Sequence, residues 1–92
     1  MRDWDLDKFE ISKAKNKKYT AIIRNRINPK KTRRINFGDK RYYHYKDNTG
    51  LGAYTHLNHL DLGRRRNYRA RHKGYLRTNQ YSPSHFSYYF LW

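Results

Sequence analysis

Beyond Glu10 this chain holds only three carboxylates, Asp39, Asp47 and Asp61, against 20 Lys and Arg, and residues 62–92 hold none. A body of charge +17 repels itself and costs folding stability unless phosphates, counterions or an acidic protein surface absorb it. The opposite sign sits at the front, where Asp3, Asp5, Asp7 and Glu10 against Arg2 and Lys8 give residues 1–10 a charge of −2. A polyanionic partner is the simplest reading of this division.

High net charge with 36% hydrophobic residues is also the composition of disordered chains. Ten Tyr, four Phe and two Trp argue for order, because disordered segments are poor in aromatics. With 92 residues the chain makes one small domain spanning 1–92, whose core is thin because a chain of this size buries only about 60–65% of its unfolded surface. Having no cysteine, it builds neither a disulfide scaffold nor a thiolate zinc site. The longest stretch free of Lys, Arg, Asp and Glu, Thr78 to Trp92, is too short and too polar for a membrane span. That predicts a soluble chain, and the acidic first ten residues, lacking the basic-then-apolar pattern of an export signal, predict no export.

Local patterning predicts an α+β fold: a three-stranded antiparallel meander over roughly 6–37, then two or three short helices over 38–92. Asp5 to Lys13 alternates loosely, with Phe9 and Ile11 on one face. Lys15 to Lys18 reads as a turn. Tyr19 to Arg24 has the β-branched and aromatic composition of a strand, Asn28-Pro29 a turn, and Thr32 to Phe37 alternates again. Lys40 to Asp47 reads as a short helix capped by Asp39, and residues 47–52 as a loop. A turn or short helix follows at 55–60. A firm helix runs from Leu62 to Lys73, N-capped by Asp61 with Gly74 just past its end. A last helix opens at Ser82-Pro83. The expected apolar set is Trp4, Phe9, Ile11, Ile23, Ile35, Phe37, Leu57, Leu60, Tyr68, Phe86, Phe90 and Trp92.

The densest signal is Arg64-Arg65-Arg66-Asn67-Tyr68-Arg69-Ala70-Arg71-His72-Lys73. On a helix, Arg65, Arg69 and His72 share one side with Arg66 and Lys73 beside them, and Tyr68 lies over Leu60 or Arg64 on the other. Guanidinium forks in such a row match phosphate oxygens bidentately. A solvated face is the plainer reading, but solvated helices mix Glu with Arg and this one does not. The hairpins carry a second cluster, Lys13, Lys15, Lys17, Lys18, Arg24, Arg26, Lys30, Lys31, Arg33 and Arg34, which also suits protection of strand edges. Arg64, Arg65, Arg66, Arg69, Arg71 and Lys73, with Lys30, Lys31, Arg33 and Arg34, are therefore the candidate anion contacts. Tyr42, Tyr43, Tyr45, Tyr88 and Tyr89 have rings that stack on unpaired bases, although packing is the commoner use of Tyr. Tyr88, Tyr89, Phe90, Leu91 and Trp92 read as an anchor for a hydrophobic groove, either the chain's own or a neighbour's.

An enzyme finds little support here. His56, His59 and Asp61 have metal-ligand types at turn spacing, which would suit a metal-dependent nuclease, but the rest of a ligand shell is missing. Gly50-Leu51-Gly52 lacks the Lys-Ser/Thr of a phosphate loop. No catalytic residue, metal, cofactor or small-molecule substrate is expected.

The order of several motifs carries a resemblance. Phe37-Gly38-Asp39, Tyr45-Lys46-Asp47, Thr55-His56-Leu57-Asn58-His59-Leu60-Asp61, Arg64-Arg65-Arg66-x-Tyr68-x-x-Arg71-His72-Lys73 and Ser82-Pro83-x-x-Phe86-Ser87-x-x-x-Leu91-Trp92 follow one another. In this order, over residues 19–92, the chain resembles a family of short basic proteins encoded by nucleocytoplasmic large DNA viruses. The resemblance implies a virion setting and a structural or packaging role, with larger capsid proteins or genome phosphates as partners. A freestanding nucleic-acid-compacting module is the main alternative.

Overall fold

The computed structural model describes residues 3–73 and 81–92. Three strands, β1 (Trp4–Ile11), β2 (Lys17–Asn25) and β3 (Thr32–Asp39), form an antiparallel sheet in the order β1-β2-β3. Among the described residues two helices follow, α1 (Leu62–His72) and α2 (Pro83–Phe90), with a 3₁₀ turn at Thr55–Leu57 before them. The meander, α1 and the start of α2 lie where the sequence patterning places them.

Each turn has its own chemistry. Between β1 and β2, Asn16 takes a left-handed φ of 61°, a conformation Asn tolerates better than most residues. Between β2 and β3, the Asn25 side chain accepts from Ile27 N and Asn28 N, both at 2.9 Å, and Pro29 follows. Asp61 caps α1 by accepting from Gly63 N and Arg64 N, and Ser82 caps α2 by accepting from His85 N with Pro83 in the first turn. The expected end of α1 at Gly74 lies outside the described residues.

Simple alternation misses one feature of β1. The register slips between Leu6 and Lys8, so that Leu6 faces Ile23 and Phe9 faces Ala21. Three residues apart, Leu6 and Phe9 would point to opposite faces of a regular strand; the bulge returns both to the inner face. There Tyr19, Ala21, Ile23 and Phe37 form the buried core with Phe86 and Leu91, and Trp4, Leu6, Phe9, Ile35, Tyr54, Tyr81, Phe90 and Trp92 pack against it. The core is mostly aromatic edges. Phe9 meets Phe37, Phe86 and Phe90 at ring-centroid distances of 5.6, 6.1 and 4.7 Å. Two residues expected inside are not: Ile11, at the end of an edge strand, and Leu60, in a left-handed turn, are exposed.

Residues 40–47 correct the expected helix. His44 N donates to Leu57 O, Lys46 N to Leu91 O and Asn48 N to Phe90 O, an every-other-residue pattern that belongs to extended chain. His44 and Asn58 pair as an isolated parallel bridge. Asp39, instead of capping a helix, turns its carboxylate onto Arg41 N and the Arg41 guanidinium. Tertiary pairing to two distant segments thus overrides local helical propensity.

This extended segment ties the end of α2 to the sheet. Gly38 there has φ +74°, and a Cβ in its place would lie 3.0 Å from Leu91 Cδ1, so the glycine permits both the turn and the close approach.

Candidate nucleic-acid interface

The acids of β1 meet cations from β1 itself, from β2 and the residue after it, and from β3 across the sheet. Asp5 pairs with Arg26 at 2.8 Å, Asp7 with Arg24 at 3.0 Å, and Glu10 lies between Arg34 at 3.0 Å and Lys8 at 3.6 Å. The Arg26 and Arg34 guanidiniums hold Asp5 and Glu10 below the ordinary carboxylate range. What reads in sequence as an acidic front segment is therefore the counter-charge of the sheet. The outer sheet face is further knit by Asn36 Oδ1, which accepts from the Ser12 and Thr20 hydroxyls at 3.0 and 2.6 Å. Of the expected hairpin contacts, Arg34 is paired in this way and Arg33 stands 4.6 Å over the Trp4 ring on the opposite face. Lys30 and Lys31 are exposed at the hairpin tip.

On α1 the structure divides the cationic row. Arg65 and Arg69 turn toward α2: their Nε atoms donate to Trp92 O at 2.8 and 3.4 Å, and their guanidiniums lie over Tyr45 and Tyr88 at 5.0 and 4.3 Å. Tyr68 lies on this same side instead of over Leu60 or Arg64. It stacks on Trp92 at 4.2 Å and 6°, and on His72 at 4.1 Å. Arg64, Arg66, Arg71 and Lys73 are exposed. Arg64 has Asp61 at 3.8 Å; among the described residues no carboxylate lies within salt-bridge reach of Arg66, Arg71 or Lys73. Spacing of seven residues sets Arg64 above Arg71 on one flank of α1 and Arg66 above Lys73 on the other, each pair separated by about 10 Å along the axis.

The aromatic tail folds back onto its own chain. Tyr88 and Leu91 are buried, Phe90 packs on Phe9, Trp92 stacks on Tyr68, and only Tyr89 is exposed. Of the two grooves the sequence leaves open for this anchor, it occupies the chain's own.

His59 and Asp61 are engaged at the entry to α1, where His59 Nδ1 accepts from Asp61 N at 2.9 Å and Asp61 caps the helix. His56 lies beside Tyr54. Among the described residues no group of three metal-ligating side chains gathers, and no helix is long and apolar enough to cross a membrane.

Sequence reading missed one buried polar pair. Lys18 Nζ donates to His44 Nδ1 at 2.7 Å and to Tyr42 O at 2.9 Å, and His44 Nε2 is 2.6 Å from Asn58 Oδ1. That distance makes His44 the Nε2–H tautomer, with Nδ1 as acceptor. Burial lowers Lys18 to about 8 and His44 to about 4, the second helped by the Lys18 charge. Nothing in a linear reading joins positions 26 residues apart. Sequence patterning places Lys18 in a turn at Lys15 to Lys18, whereas β2 begins at Lys17 and takes Lys18 into the sheet.

No protein-family model, curated protein or solved structure matches the chain.

Proposed function

We propose that this chain is a non-enzymatic structural protein of a large DNA virus particle, a small basic packaging component that seats against nucleic-acid phosphates without reading sequence. One observation carries the reading. The acids of β1 pair with Arg24, Arg26 and Arg34 of the sheet and its hairpin, while the exposed flanks of α1 keep Arg66, Arg71 and Lys73 without a carboxylate partner among the described residues. Guanidinium and ammonium groups so displayed on a rigid helix suit phosphate oxygens, and they position a chain on a polyanion without sequence information. The viral setting rests on the motif order, and contact with larger capsid proteins then falls to the basic surface, since the tail is used internally.

Binding to generic duplex should weaken about a thousandfold or more between about 50 and 200 mM salt if six or more phosphates are contacted. A flat salt response in fluorescence anisotropy rejects the phosphate contact. Mass spectrometry of purified particles tests the setting, and absence from them rejects it.

A further inference from the structure

Beside the outer flank of α1 lies an open cleft of about 660 Å³, within the size range of small-molecule sites. Three elements line it: Arg64 and Arg71 come from α1, Lys17 from the start of β2, and Tyr42 and Tyr43 from the turn after β3. Trp92 also lines it.

Two details make this more than a basic hollow. Tyr42 and Tyr43 leave 63% and 59% of their surface in water, whereas Tyr68 and Trp92, also in the lining, are stacked on one another. The Arg41 guanidinium already stands 5.7 Å from the Tyr42 ring centroid, and a flat exposed ring beside cations is what an unpaired base and its phosphate require together. Among the described lining residues the one acidic side chain, Asp39, is paired with Arg41 at 3.0 and 2.7 Å, which offsets its repulsion of an anion. Lys18, almost fully buried at the cleft wall, engages Tyr42 O and His44 Nδ1, and an ammonium has a third donor.

We propose that this cleft takes an unpaired nucleotide of single-stranded nucleic acid, its base stacked on Tyr42 or Tyr43 and its phosphate held by Arg64, Arg71 and Lys17. The proposal rests on the phosphate-binding reading above and adds a strand preference to it. A duplex keeps its bases stacked inside and offers the cleft only backbone; a single strand offers a ring as well. Stacking is indifferent to base identity, so the preference is for unpaired strand and not for sequence.

The test compares a labelled short oligothymidine with a duplex of matching length, by anisotropy at one salt concentration on the full chain. Wild type is expected to bind the single strand more tightly. Removing both rings, Tyr42→Ala with Tyr43→Ala, should cost the single strand roughly tenfold or more, within the range for lost base stacking, and leave the duplex nearly unchanged. Tyr42→Phe with Tyr43→Phe should restore single-strand binding, because a ring suffices. Both side chains are exposed, so the variants keep the fold, which circular dichroism checks. Equal binding of both polymers by wild type, or single-strand binding indifferent to loss of the rings, overturns the cleft while steep salt-dependent duplex binding leaves the broader reading standing. Binding to neither polymer overturns both.

Discussion

At the scale of single residues, the fold depends on a few rings and one buried cation. Phe86 is fully buried between Phe37, Phe9 and Tyr81. Replacing it by Ala should lower unfolding free energy by about 3–5 kcal/mol, a large share of what a domain of this size has. Urea denaturation followed by tyrosine fluorescence measures it; a loss under about 1 kcal/mol would mean the cavity collapses or the core lies elsewhere. The pair Lys18 and His44 gives stability a defined pH profile. His44 is held near 4 in the fold against 6.5 in the open chain, so acid protonates the unfolded state first and stability falls as pH drops from 6.5 toward 4. Lys18, lowered to about 8 from 10.5, is costly to bury while charged, so its contribution improves as pH rises above 8. Tyr19, whose hydroxyl donates to Asp47, is raised to about 12 from 10.0 and works the other way above pH 10. Denaturation midpoints should therefore climb from pH 4 to 6.5 and again from about 8 to 10. Lys18→Met should abolish the second climb, and its persistence would assign that rise to another group.

At the scale of elements, β1 acts as strand and counter-charge together. Its pairs with Arg24 and Arg26 are exposed, and exposed pairs add little to stability. Asp5→Asn with Asp7→Asn should leave the denaturation midpoint nearly unmoved but tighten binding to nucleic acid by freeing two guanidiniums. Unchanged affinity would mean the sheet faces away from the polyanion. The same strand shows how far the sequence could be read. Alternation located β1 and β3, β-branched and aromatic composition located β2, and the cap chemistry of Asp61 and of Ser82-Pro83 located both helices, because these signals are local. The bulge that aligns Leu6 with Phe9, and the extended path of residues 44–48, were not legible: both are fixed by partners far along the chain, Ile23 in one case and Leu57, Phe90 and Leu91 in the other. For the interface the split is similar. A cationic α1 was evident, but that Arg65 and Arg69 serve Trp92 while Arg66 and Lys73 stay open depends on how α2 returns against α1.

At the scale of the whole molecule, the division of charge assigns separate duties to separate surfaces. Arg66→Ala with Lys73→Ala removes cations without removing packing, so melting temperature should hold while duplex affinity falls and the slope of log affinity against log salt flattens by about two. An unaltered slope would move the contact off this flank. The contacts of Phe9 with Phe86 and Phe90 carry one more consequence. The first strand and the last helix complete one core, so a growing polypeptide cannot cover Tyr19, Ala21, Ile23 and Phe37 until residues 83–91 have been made. Until then the nascent chain is an open apolar sheet attached to a strong positive charge, produced beside the ribosome's own RNA. Maturation of this protein is a late closing step, and mutations in α2 should reduce yield in cells before they are noticed in any binding assay.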